Sequence, residues 1–234
     1  MTVKWPILQV EADDFLFPAG IRGLADVSDT LHIAGEWKWM DHIPCAAIVG
    51  TRYASSWGRK TAAELGMRLA KRGWGVISGL AMGIDTAAHQ GALAGQGRTG
   101  ATLPGGLNHI YPPENLDLAD AIVRGGGFLL SEYTAEAEPK PEFFAARDRL
   151  QSALSRAVIV VETEAEGGTM HTAHFALEQG KPLFVFSPPA NIQSRSDGNR
   201  MLLTWSGAIP VKDIDSLMSA ISRLEDTSNS FSIE

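Results

Sequence analysis

A single cysteine, Cys45, stands in 234 residues, which excludes an internal disulfide framework and any zinc site built on several thiolates. That usage suits a reducing cytoplasm, and a position at the head of an apolar run reads as a small buried hydrophobe rather than a reactive thiol. No apolar run approaches the ~20 residues that cross a bilayer, and the N-terminus lacks a basic-then-apolar leader, so the chain reads as soluble, cytoplasmic and free of membrane partners. Positive charge is also scarce. The formal net charge of −7 argues at first against a polyanionic partner. Its distribution weakens that objection: residues 1–44 hold three Lys/Arg against seven Asp/Glu, residues 213–234 one against five, and residues 45–212 sixteen against fifteen. The middle of the chain is neutral and permits a local positive pocket. Neither a dinucleotide fingerprint of G-x-G-x-x-G spacing nor a P-loop of the form G-x-x-x-x-G-K-[ST] is expected in the chain, so ATP and dinucleotide readings are disfavoured.

What is present is a regular alternation. From Cys45 onward, short apolar runs (Cys45–Val49, Trp74–Ser78, Thr99–Leu103, Gly127–Ser131, Ala157–Val161, Pro182–Phe186) alternate with helix-like stretches (from Ser56, then Ile84–Leu93, Asn115–Val123, Phe143–Leu154 and Thr169–Gln179). Continuous apolar strands separated by helices predict an α/β fold with a mostly parallel sheet covered by helices on both faces. Residues 1–44, with a short strand at Leu31–Gly35, read as an extension packed on a core domain of residues 45–212. Residues 213–234 read as a C-terminal helix through Leu217, Ile221 and Leu224, with a frayed tail from Asp226.

In such sheets ligands bind beyond the carboxyl ends of the strands. Four glycine-bearing turns fall there: Gly50-Thr51-Arg52, Ser78-Gly79 through Gly83, Pro104-Gly105-Gly106, and Gly167-Gly168-Thr169. Backbone N–H groups, helix N-termini and the forked donor of Arg52 predict an anionic or nucleotide-like ligand. Asp85 is expected to orient its own loop, and His89 to be a packed, hydrogen-bonded histidine. His171 and His174 share a helix face but have no clear third ligand, so neither a metal nor a cofactor is expected.

These stretches resemble the DprA/Smf DNA-processing family. The resemblance rests on Ile48 to Arg52, Ser78 to Asp85 with Ala88-His89, Tyr111 to Asn115, Ser131-Glu132-Tyr133, Arg147 to Arg149 with Leu154-Ser155-Arg156, Gly167 to Met170 with Thr172-Ala173, and Glu178 to Pro182. It implies an extended Rossmann-like, non-enzymatic, homodimeric core domain. Such a domain binds single-stranded DNA, protects it and passes it to a RecA-type recombinase during natural transformation. By the same resemblance Arg52, Lys140, Phe143 or Phe144, Arg147 and Arg149 line the DNA pocket: cations for phosphates, an aromatic surface for bases. Read from the residues alone, Phe143 and Phe144 are better explained as core anchors of their helix than as stacking surfaces, and Arg147 and Arg149 could pair locally across Asp148.

The chain departs from the family pattern in three places. Asp148 stands where the family has an asparagine, Gln151 where an apolar residue is usual, and Trp205-Ser206 in place of a charged turn. Neither an N-terminal helical module nor a C-terminal winged helix is expected. Phosphoribohydrolases of the same superfamily carry paired glutamates beside their glycine turns, and these are missing here. The alternative to a strand binder is a sensor that uses the same loops for one nucleotide-derived small ligand.

Overall fold

Four or five apolar residues between polar turns are too few for a helix, and they are fully buried only as an inner strand. Cys45–Val49, Ala157–Val160 and Leu183–Phe186 follow that rule, every residue in each being buried. A computed structural model describes residues 5–189, 192 and 196–229. It contains one nine-stranded sheet in the order β1-β2-β6-β5-β4-β3-β7-β8-β9. The strands are β1 (Ile7–Glu11), β2 (Thr30–Gly35), β3 (Cys45–Val49), β4 (Gly75–Ser78), β5 (Thr99–Thr102), β6 (Phe128–Ser131), β7 (Ala157–Val160), β8 (Leu183–Phe186) and β9 (Ala208–Val211). The helices are α1 (Ser56–Lys71), α2 (Ile84–Ala94), α3 (Leu116–Arg124), α4 (Pro141–Ala153), α5 (Thr169–Glu178), α6 (Asp197–Leu202) and α7 (Ile214–Asn229). Pairing is parallel from β6 through β9 and antiparallel at β1–β2 and β2–β6.

Alternate residues of each inner strand face opposite layers. Ala46, Ile48, Val76 and Ile159 pack under α1, α2 and α7, while Ala101 and Leu129 of that face lie under α3. Ala47, Val49, Val158 and Val160 pack against α5 and α6, and Ile77 and Leu130 against α4. Helices α1 and α2 approach closely through glycine, since a Cβ on Gly66 or Gly91 would run into the partner helix backbone at Ala88 or Ala63. The thiol of Cys45 is buried in this core and burial pushes it up to about 12, so it behaves as a hydrophobe.

The N-terminal residues join the sheet rather than only leaning on it. Strands β1 and β2 extend it beyond β6, and Phe17, Ile21 and Trp37 share a hydrophobic cluster with Leu150 and Ala153 of α4 and with Leu154 just after it. The expected pattern omits β1, β9 and α6. β9 contains Pro210, which argues against a strand in sequence and is tolerated because β9 is the outermost strand. Helix α7 continues to Asn229 through part of the segment read as a tail; residues 230–234 lie outside those described. One string with G-x-G-x-x-G spacing does occur, Gly95 to Gly100. It leaves α2 and enters β5, the reverse of the strand-to-helix order a dinucleotide needs. Among the described residues no helix is long and apolar enough to cross a membrane.

Candidate nucleic-acid interface

From β3 the chain winds outward through β4, β5 and β6 on one side and β7, β8 and β9 on the other. The crevice at such a reversal opens at the carboxyl ends of the strands. Three adjoining cavities of about 340, 390 and 710 Å³ lie there, and Arg52 and Phe144 line all three.

The loop after β3 is built before any ligand arrives. Thr51 donates its N–H to Glu162 O at 2.7 Å, and its own carbonyl accepts from Ile84 N at 3.2 Å. A Cβ at Gly50 would strike Ile84 and the Glu162 carbonyl, and one at Gly83 (φ +80°) the carbonyls of Thr51 and Arg52. The N-terminus of α1, expected from sequence to receive a ligand anion, already holds one. Glu162, fully buried at the end of β7, accepts from both the N–H and the hydroxyl of Ser55 at 2.9 Å, and Ser55 Oγ accepts from Gly58 N. A protein carboxylate therefore takes the positive helix end that a phosphate was expected to use.

The loop after β4 is clamped in the same manner. Asp85 Oδ2 accepts from Gly79 N (3.0 Å) and Ala81 N (3.4 Å), the orienting role expected of it. Asn115 Nδ2 donates to Leu80 O and Thr86 Oγ1, and Thr86 Oγ1 donates to Ala81 O. These bonds hold Leu80 at φ +58°, a left-handed conformation that non-glycine residues rarely adopt. His89 pairs with Thr99 Oγ1 at 2.7 Å, as a packed histidine should, and burial, helped by Arg147, holds it down to about 3.

The smallest cavity is polar at its floor. Arg147 is only 4 % exposed and Asp148 7 %, and Arg147 Nε lies 3.3 Å from Asp148 Oδ1. Gln151 Nε2 reaches the same oxygen at 3.4 Å, while Gln151 Oε1 is buried with no partner. Burial pushes the Asp148 carboxyl up to about 7; Arg147 opposes this, Asp85 adds to it and Arg52 opposes it. Asp85 is raised as well, again mainly by burial. Opposite, Gly167-Gly168-Thr169 opens α5, whose N-cap Gly168 has no side-chain cap. At the mouth, the Arg52 guanidinium sits 4.8 Å from the Phe144 ring centroid, and Tyr111 meets Phe144 edge-on at 5.7 Å.

The residues predicted from sequence divide accordingly. Gly50, Thr51, Arg52, Gly79, Phe144, Arg147, Gly167, Gly168 and Thr169 line the cavities. Ser78 lines none of the three; it is fully buried and its hydroxyl donates to Ile48 O at 2.7 Å. Gly83 acts by giving room to the Thr51–Arg52 carbonyls. Lys140 and Phe143 stand apart, with Phe143 stacked on Tyr133 at 3.8 Å and the Lys140 ammonium 5.4 Å from its ring centroid. Arg149 is engaged elsewhere, bidentate to Glu132 at 2.8 and 3.0 Å and bonded to Asp26 O. Sequence reasoning assigned no role to Tyr53, Met82, Gln151 or Tyr111 to Glu114, which also line the cavities; Tyr111 to Glu114 had a signal, being part of the recognised pattern. His174 pairs with Glu178 at 3.2 Å, and among the described residues no group of three or more His, Cys, Asp and Glu is placed to hold a metal ion.

A mostly parallel sheet with helices on both faces, and glycine loops with an arginine–aromatic pair at its switch point, places the chain in the Rossmann-like class of α/β domains. The chain belongs to the DprA/Smf family: residues 9–222 match the family described as DNA recombination-mediator protein A. It is 35% identical over 192 residues to the DNA processing protein DprA of Bacillus subtilis, covering 82% of this chain and 64% of that one. Against the protein Smf of Escherichia coli the identity is 34% over 209 residues, or 89% of this chain and 55% of that one. The chain thus spans about half to two thirds of these relatives. Among solved structures, DNA processing protein A of Helicobacter pylori, studied for its single-stranded DNA binding mode, superposes with a TM-score of 0.85 at 30% identity over 95% of this chain and 99% of that one. The Streptococcus pneumoniae DprA structure gives 0.81 at 32% identity, covering 92% and 74%.

Proposed function

We propose that this chain binds single-stranded DNA without cutting it, as the core domain of a cytoplasmic, homodimeric protein that shields incoming strands and assists a RecA-type recombinase in DNA uptake. One observation supports this most: three contiguous cavities share a single arginine–aromatic pair, so one strand can cross them with Arg52 on its phosphate and Phe144 under a base. A sequence-tolerant binder needs that combination, a cation tracking the backbone and a π-face for stacking. Further support comes from the Helicobacter pylori relative, whose structural study concerned single-stranded DNA. Of the acids that line the cavities, Asp85 and Asp148 are buried and engaged by backbone N–H groups or by Arg147, an arrangement that serves structure, while Glu114, Glu138 and Glu164 are less buried.

A titration with a fluorescent oligothymidine at increasing salt tests this reading. Binding should weaken steeply with salt, because counterions are released from the strand. A folded protein that binds nothing at low salt would reject it. The second reading, a sensor of one small nucleotide-derived ligand, is favoured by the engagement of Arg147 and Arg149 with Asp148 and Glu132, which leaves little positive surface. It predicts a shallow salt response.

A further inference from the structure

Within the strand-binding reading, on which this inference rests, the smallest cavity presents a problem of chemistry. Its floor holds two carboxylates, Asp85 and Asp148, which share Arg147. A phosphate there would face both acids in a desolvated space. Its place is at the rim, with Arg52 and the uncapped N-terminus of α5. The floor suits a neutral planar group that can donate hydrogen bonds. Gln151 is 2 % exposed and its Oε1 is buried without a partner. Asp148 Oδ1 is engaged by Gln151 and Arg147, while its Oδ2 faces Gly168 across the cavity wall.

We propose that this cavity reads the base: Asp148 and Gln151 accept from a nucleobase edge that carries adjacent N–H donors, so guanine is preferred over thymine. Guanine offers N1–H and the N2 amine side by side, a match for a carboxylate with a neighbouring amide oxygen. Thymine offers one N–H between two carbonyls, and those carbonyls meet acceptors. An asparagine at position 148, usual in the resembled family, can turn either its carbonyl or its NH₂ to the base and so tolerates both. The aspartate of this chain has lost the NH₂. Protonation of Asp148 would restore a donor and relax the choice. The groups around it are Arg147 and Gln151 from α4, Asp85 from α2, Arg52 from the loop after β3, and Glu164 with the Gly167–Gly168 backbone from the loop before α5. With its carboxyl near 7, the preference should strengthen as pH rises through that value.

The experiment compares oligothymidines carrying one central guanine, one inosine or none, by anisotropy at matched salt and about one pH unit either side of 7. Guanine should bind at least about fivefold tighter than thymine on the alkaline side, with inosine, which lacks the amine, in between. On the acid side the gap should close. Asp148→Asn should remove both the preference and its pH dependence, and Gln151→Met, which deletes the other acceptor, should reduce the preference independently. Equal affinities for all oligomers, or a guanine preference that Asp148→Asn leaves intact, would overturn the proposal while the strand reading stands. Failure of every oligomer to bind would overturn both.

Discussion

Arg52 lies over the face of Phe144, its guanidinium carbon 4.8 Å from the ring centroid, and the two side chains together form the wall between adjoining cavities. The pair couples an electrostatic contact to a stacking surface, so neither acts alone. Arg52→Ala should weaken oligothymidine binding more than tenfold, about 1.4 kcal/mol, and Phe144→Ala should cost about 1–3 kcal/mol. The double variant should lose less than the sum, because each single change already disturbs the other's position. Strictly additive losses in a titration series would show that the two contacts are independent.

Arg149 should behave differently. Its bidentate partner Glu132 has a side chain only 6 % exposed and also accepts from Ser28 N at 2.9 Å. Arg149→Ala strands that carboxylate, so a stability loss of about 3 kcal/mol is expected in urea unfolding. The salt dependence of DNA binding should keep its slope, whereas Arg52→Ala should reduce it by about one. A shallower slope in Arg149→Ala would show that this arginine touches phosphate after all.

Removing the built-in anion of α1 makes a third case. Glu162→Ala leaves the Ser55 N–H and hydroxyl without their partner, which should cost about 1–3 kcal/mol of stability. Gly58→Ala should imitate it, because the added methyl would occupy the position of Glu162 Oε2. Unchanged unfolding midpoints in both variants would contradict the role given to this carboxylate.

Stability should also depend on pH through two opposing groups. The Asp148 carboxyl, raised from its ordinary 3.8 to about 7, binds a proton more tightly folded than unfolded. Its contribution is fully present below about 3.8 and is lost as pH rises through about 7, by up to about 4 kcal/mol. His89, depressed from 6.5 to about 3, works in the other direction: its contribution is present above about 6.5 and is lost as pH falls toward 3. In Asp148→Asn the first slope disappears, so the variant should gain on the parent protein as pH rises from about 4 to 7. Parallel stability curves for the two proteins would refute the assignment.

The sheet was legible in the sequence because its inner strands are unbroken apolar runs, which Ala157 to Val160 shows most plainly. Glycine turns at strand ends located the crevice, and Arg52 at its mouth. The polar floor was less legible because α4 buries the residues that composition assigns to solvent. Arg147, Asp148, Gln151 and Ser152 all face inward, and a hydrophobic pattern has no signal for a buried polar face. Nor does a pattern show that Glu162, one of several acids after β7, turns back to a helix end more than a hundred residues earlier. Lys140 with Phe143, read as one station with Phe144, separated because neighbouring positions on a helix point in different directions.

The carboxylate of Glu162 has a consequence for preorganisation at the crevice. An internal charge completes the turn between β3 and α1, so the hydrogen bonds that define that turn are made within the chain itself. For a strand bound as proposed, a turn already held by these bonds would lower the ordering cost of binding. The side chain of Arg52 is exposed, and rotamer changes at exposed positions are fast compared with loop motion.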